Sequence, residues 1–515
     1  MPETSCVVRV FRPRRPSLGW TNNPWSGSQP TPLGLPLSTT YPDGSTTSAT
    51  FLGTTHLEEA TDTPLSYTDE AERVRSYTYG PQAELLTATD LGGNVWSYGE
   101  PAEDTYTVTS PGGEVLTVQS DDSLNPVSIT YPDGGVATML YEEFVRLSQL
   151  TQPDGTVVNY TYDALDRPVS RTTSTGESET TTYAADGRVE TVADGTGTTS
   201  MAYDSAGRFA GFESGVGASI EYVRDAEGRV TEVRTKASPA ATAEVTAYVY
   251  NAVGNITSIT DPLGGVTSFT FDAVHRKTSR TLPNGVVTSY GYDLRDRITS
   301  IEHRDAGNAV LASFVYTRNV SGEPTRITRE DGGYTDYTYN ASLAITAERS
   351  YSIADVLLGE ILYTYDADGN RTGRTTSAGT DAYGYAPGFQ LTSAGSDTFS
   401  HDANGRIDSM TRGGVATALT YSSTDHVTSV TTGANVSSYS YDAAGRRTGV
   451  VDSSGSKNYL VAPSIGDGLD SPHLVLDGTT GAPIANYVYG GEHAFMRISG
   501  ATAEYYLEDA MGSVI

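Results

Sequence analysis

From about residue 36 onward, polar and apolar residues alternate in short runs, and each run stops at a cluster of Gly, Pro, Asp or Asn. Alternation with period two places successive side chains on opposite faces of an extended chain, so each run predicts a β-strand. The clearest marker is Tyr-x-Tyr, at Tyr77/Tyr79, Tyr160/Tyr162, Tyr248/Tyr250, Tyr290/Tyr292, Tyr337/Tyr339, Tyr363/Tyr365, Tyr383/Tyr385, Tyr439/Tyr441 and Tyr487/Tyr489. Rings two residues apart share a face and can stack against the neighbouring hairpin. Turn signals come too often for helices of ordinary length. The pattern predicts an all-β chain of hairpins, each burying its face only when the next packs beside it.

The hairpins repeat. An aromatic residue recurs about every 20 positions, and a short motif follows it. The motif is YDALDR (Tyr162, Asp163, Arg167), YDSAGR (Tyr203, Asp204, Gly207, Arg208), YDLRDR (Tyr292, Asp293, Arg297), YDADGN (Tyr365, Asp366, Gly369) and YDAAGR (Tyr441, Asp442, Gly445, Arg446). FDAVHR at Phe271 and HDANGR at His401 are variants. A period in this range marks a repeat architecture. The fifth position is Gly, Asp or His, residues that tolerate positive φ, as a type I turn closed by a G1 bulge requires. The second-position Asp can accept hydrogen bonds from the turn amides. A second turn signal (YPDG at Tyr41 and Tyr131, QPDG at Gln152, LPNG at Leu282) alternates with the first.

Composition sharpens this picture. The 515 residues include 54 Gly and 34 Tyr but only 11 Phe, and 37% are hydrophobic. Such a chain is expected to make a thin sheet with a largely aromatic buried face rather than one aliphatic core. The formal net charge of -30 argues against nucleic-acid binding, which needs a basic surface. A single Cys6 excludes an intrachain disulfide framework and a Cys-based zinc site. No stretch is apolar enough to predict a membrane span, and no apolar segment follows Arg9–Arg15 as a signal peptide would require.

The YDSAGR and YDAAGR motifs resemble the YD repeats of the Rhs family, and the ending YYLEDAMGSVI is similar to the start of the Rhs-associated core. In that ending the motif residues are Tyr505, Tyr506, Asp509 and Gly512. Similar proteins include bacterial polymorphic toxin shells, wall-associated proteins, the B and C subunits of insecticidal toxin complexes, and teneurins. The resemblance implies a continuous spiralling sheet, hollow and shell-like, that encloses a C-terminal toxin as cargo in cis and works with its delivery machinery. It also implies a secreted or bacterial cell-surface location. The family's self-cleavage motif and toxin lie beyond the part matched, so the core is expected to be incomplete at Ile515. An alternative function is cell-surface or cell-wall adhesion through a glycan, since Tyr rings stack on sugar faces.

The expected organisation is an irregular lead-in (1–35), degenerate repeats (36–150), a regular array (151–450) and the start of the core (451–515). The Asp and Arg positions of these motifs are read as structural turns, not catalytic groups. None of the seven His forms an HExxH-type pair, and no GxSxG or Walker motif occurs, so no enzyme, metal or cofactor is expected. DADGN at 366–370 is only a faint likeness of a calcium loop, because the closing Glu is missing. His473 and the adjacent Glu508 and Asp509 have weak claims to chemistry. Circular dichroism should show β structure with negligible helix; helix near the globular average would overturn the hairpin reading.

Overall fold

The computed structural model describes residues 29–30, 36–51, 63–81, 83–143, 145–464, 470–490, 494–510 and 512–514. The expected lead-in therefore lies almost entirely outside the described residues, as do Cys6, His56 and His493. The described residues form 45 strands and no helix. Each pairing is antiparallel and joins strands adjacent in sequence, for example Val157–Tyr162 with Pro168–Thr173 and Gln29–Pro30 with Pro36–Thr40. The chain is thus a meander built from local contacts.

The turn chemistry explains why pairing stays local. At Asp163–Arg167 the Asp163 amide donates to the Arg167 carbonyl at 3.0 Å, and the Asp166 amide donates to the Asp163 carbonyl at 3.1 Å. Asp166 has φ 61°, and the register shifts by one residue between Thr161 and Tyr162. This is a tight turn followed by a bulge, which bends each hairpin and adds twist. The YPDG turn at Tyr131 closes in the same way, with Gly134 at φ 88°. Both turn signals therefore make one geometry. A third kind was not foreseen: two-residue connections at Arg412–Val415 and Thr432–Asn435, where Gly413, Gly414 and Gly433 have positive φ.

By contacts the chain divides into two units: Met1–Met139 with Gly291–Ser300 and Ala312–Gly405, and Leu140–Tyr290 with Ile301–Leu311 and Arg406–Ile515. In the first unit alternate residues are buried along single strands, as in Thr46–Phe51, where Thr47, Ala49 and Phe51 point inward. Its buried apolar residues are few and scattered (Phe51, Tyr77, Val118, Ile129, Met139, Tyr316). This is the thin sheet that the composition suggests.

The second unit differs, and corrects that expectation. Its largest fully buried apolar side chains are aliphatic: Ile259, Leu282, Leu460, Leu474, Leu476, Val488 and Met496. They belong to one cluster that joins strands between Phe212 and Val286 to strands between Leu460 and Ile498. Burying each such side chain contributes about 1.5–3 kcal/mol. Leu474, Val475 and Leu476 are all buried in succession, so strand Asp470–Asp477 is covered on both faces. The low overall hydrophobic fraction hid this because the apolar residues are concentrated here.

His473 lies at the edge of that cluster, 3% exposed, with its ring 5.0 Å from that of Tyr489. Burial disfavours the imidazolium and pulls its pKa down to about 4. A His held neutral in the fold contributes stability that is fully present above its unfolded pKa of about 6.5 and is lost as pH falls toward 4. Wild type should therefore lose about 2 kcal/mol relative to His473→Leu between pH 7.5 and pH 5. Urea melts of the two proteins at both pH values check this, and a constant difference would refute it.

The left-handed turn positions give a second test. Gly369 has φ 84° with open space where a Cβ would stand. Gly369→Val should cost about 1 kcal/mol or more, and Gly369→Asn less, because Asn tolerates positive φ. At Gly445 a Cβ would come within 2.8 Å of the His426 ring, so there Asn and Val should both be costly. Thermal melts of the four variants would show whether backbone or neighbour sets the tolerance.

Candidate functional site

The feature that recurs along the chain is a three-residue relay at the turns that carry the YD motif. Asp163 accepts through Oδ1 from the Leu165 and Arg167 amides at 2.9 and 3.0 Å. Its other oxygen accepts from Arg167 Nε at 2.7 Å. One carboxylate thus closes the turn and fixes an arginine. The same pairing recurs for Asp204–Arg208, Asp225–Arg229, Asp272–Arg276, Asp293–Arg297 and Asp442–Arg446. In YDADGN, Asn370 replaces the arginine and donates to Asp366 at 3.0 Å. The hydrogen bond from Arg167 holds the Asp163 carboxyl below the usual range. At Asp293 the Arg297 and backbone bonds outweigh burial, which acts in the opposite direction.

Some of these arginines then meet the next repeat: Arg167 lies 4.3 Å over the Tyr183 ring and Arg229 5.1 Å over Tyr250, while Arg446 lies over Phe212. Arg188, paired with Asp186, and Arg406 make the same kind of contact with Tyr203 and Tyr421. Cation–π contacts of this kind contribute roughly 0.5–1 kcal/mol each where exposed. The tyrosine hydroxyl closes the loop by donating to a carbonyl of the preceding hairpin: Tyr162 to Leu147, Tyr183 to Pro168, Tyr203 to Val189 and Tyr365 to Ile345, at 2.7–2.9 Å. Phenylalanine could not make this bond, which accounts for the excess of Tyr over Phe. Burial raises the pKa of the Tyr162, Tyr183 and Tyr365 phenols. Tyr441 instead stacks on His426 at 4.7 Å. Tyr292 ends strand Val287–Tyr292 beside the Asp293–Arg297 turn.

Contacts between turns far apart in sequence were not visible from the repeat. In the first unit Arg73 donates to Ser321, the Gly112 amide to Asp368, and Gln390 to Asp133, across 248, 256 and 257 residues. Arg295 sits 3.9 Å over the Tyr41 ring and 2.5 Å from Glu70. In the second unit the Ser423 amide donates to Glu177 and the Ala443 amide to Asp194, across 246 and 249 residues. Within each unit, carboxylates of one row of turns thus cap bare amides of another row about 250 residues away.

The remaining candidates are drawn into the same architecture. Asp366 is occupied by the amides of Asp368 and Asn370, and Asp368 by Gly112, so the DADGN carboxylates serve protein donors. Asp509 closes another turn of the same type: the Gly512 amide donates to the Asp509 carbonyl, the Ser513 amide to Asp509 Oδ1, and Gly512 has φ 77°. Tyr505 ends strand Thr502–Tyr505, and the Tyr506 carbonyl accepts from Arg280 at 3.1 Å. His275 occupies a turn at φ 70°, and His401 ends strand Asp397–His401. Among the described residues no group of three His, Cys, Asp or Glu could hold a metal ion.

Known proteins carry the same signals. The RHS Repeat family matches residues 146–178, 250–287 and 278–309, and the Teneurin YD-shell family matches 317–461. No curated protein matches this sequence. The crystal structure of TcdB2-TccC3 without its hypervariable C-terminal region aligns with 95% of this chain at 14% identity and a TM-score of 0.66. A second crystal structure of TcdB2-TccC3 aligns over 95% at 14% identity with a TM-score of 0.61. The chain spans 29% and 32% of those two chains. Relay, family matches and fold agree: this chain carries RHS repeats and a stretch that matches the teneurin YD-shell model, on an all-β fold like that of the TcdB2-TccC3 structures.

Proposed function

We propose that these repeats are the structural scaffold of a shell that encloses a C-terminal toxin and helps deliver it. The observation that carries this reading is the fold alignment over 95% of the chain with TcdB2-TccC3 without its hypervariable C-terminal region. The teneurin YD-shell match to 317–461 supports it independently. The relay chemistry fits a wall: each Asp, Arg and Tyr is spent on holding one hairpin to the next, which suits a scaffold rather than an enzyme. The roles of Tyr162, Asp163, Arg167 and their counterparts are accordingly structural, and the blocks 36–150, 151–450 and 451–515 are stretches of one wall. The toxin is the partner in cis, and secretion or surface display is the corresponding location. Among the described residues no helix is long and apolar enough to cross a membrane.

The test is limited proteolysis of one cargo in two settings, fused after residue 515 or free in solution beside the same chain. Enclosure predicts slow digestion of the fused cargo and rapid digestion of the free one. Equal digestion would overturn enclosure and favour the glycan-binding adhesin, which a glycan array on the same protein would then detect.

A further inference from the structure

The segment after strand Thr502–Tyr505 is held to the second unit in an unusual way. Strand pairing ends as the Tyr506 amide donates to the Phe495 carbonyl. Beyond that point two side chains grip the segment's backbone. Arg280, buried beside the Phe495 ring, donates to the Tyr506 carbonyl at 3.1 Å. His303, fully buried, places Nε2 3.1 Å from the Glu508 carbonyl and Nδ1 2.9 Å from Thr288 Oγ1. With Nε2–H donating to the carbonyl, Nδ1 accepts from the Thr288 hydroxyl, so the neutral ring satisfies both contacts. Glu508 is then bridged to Val514, and the Ser513 amide donates to Asp509.

We propose that His303 is an acid-sensitive latch whose protonation releases residues 506–514 from strands Lys277–Thr281, Val287–Tyr292 and Ile298–Arg304. A second cation at this buried position would face the Arg280 guanidinium. The other charged or titratable groups at the site are the Glu508 carboxylate on the segment and the Tyr290 phenol. Burial, followed by Arg280, keeps the imidazole below its ordinary pKa, while the Glu508 carbonyl opposes this. When the segment leaves, the ring is hydrated and its pKa returns toward about 6.5. Docking is therefore complete above that pH and weakens as pH falls below it. The inference concerns this contact alone and does not depend on what the repeats enclose.

Hydrogen exchange of the 515-residue chain at pH 7.5 and pH 5.0, corrected for intrinsic rates, tests it. Protection within 506–514 should fall roughly ten- to thirtyfold at pH 5.0, and should fall likewise in His473→Leu, in which strands Lys277–Thr281 and Ile298–Arg304 keep theirs. His303→Gln, which retains a donor and an acceptor but cannot titrate, should abolish the fall. Unchanged protection at pH 5.0, or, in His473→Leu, equal loss across both strands and segment, would overturn the latch. So would an equal loss in His303→Gln. The wild-type and His473→Leu maps decide on their own if that variant fails to fold.

Discussion

Everything in this chain rests on one carboxylate that does two jobs. A hairpin exposes bare amides at its tip, and these must find acceptors. Asp at the second turn position supplies the acceptor, and its remaining oxygen fixes an arginine that reaches the tyrosine of the next hairpin. Turn closure and hairpin-to-hairpin adhesion are thereby coupled. A single hairpin is marginal in water, but each relay ties a new hairpin to the one already formed. In the first unit, where few apolar residues are buried, the turn carboxylate closes turns with Asn as well as Arg, as at Asp90–Asn94, Asp121–Asn125 and Asp366–Asn370.

Much of the fold was legible because its determinants are local. Alternation gives strands, Asp and Gly give turns, and a period near 20 gives the array. Local signals have limits, however. Leu124 and Leu343 adopt φ 63° and 68°, where a residue with a Cβ is disfavoured by roughly 1–2 kcal/mol. Only the Asp121 and Asn340 acceptors at those turns, which bond Asn125 and Ala344, show why the conformation is held. The two-residue turn at Gly413–Gly414 had a readable Gly-Gly signal that the search for a fixed motif passed over.

The arrangement of the candidate site was less accessible. Sequence spacing relates Arg167 to Asp163, four residues away, but nothing in it relates Glu177 to Ser423. Such pairs depend on accumulated twist and bend over many hairpins, which is a property of geometry rather than of any residue. The concentration of aliphatic residues in the second unit was obscured for a different reason. Leu474, Val475 and Leu476 form a consecutive apolar run, a sign of two-sided burial, yet whole-chain composition averages it away.

The contacts between rows about 250 residues apart carry a consequence for how such chains can change in evolution. Loops elsewhere in proteins absorb insertions cheaply, because only their own closure is affected. Here the deletion of one hairpin between Gly197 and Tyr290 would slide every later partner by about 20 residues, opposing Glu177 and Asp194 to the wrong turns. A length change is absorbed only where a compensating one restores the phase. Repeat number is therefore a counted quantity in this protein, and lineages should vary the sequence within hairpins far more freely than the number of hairpins.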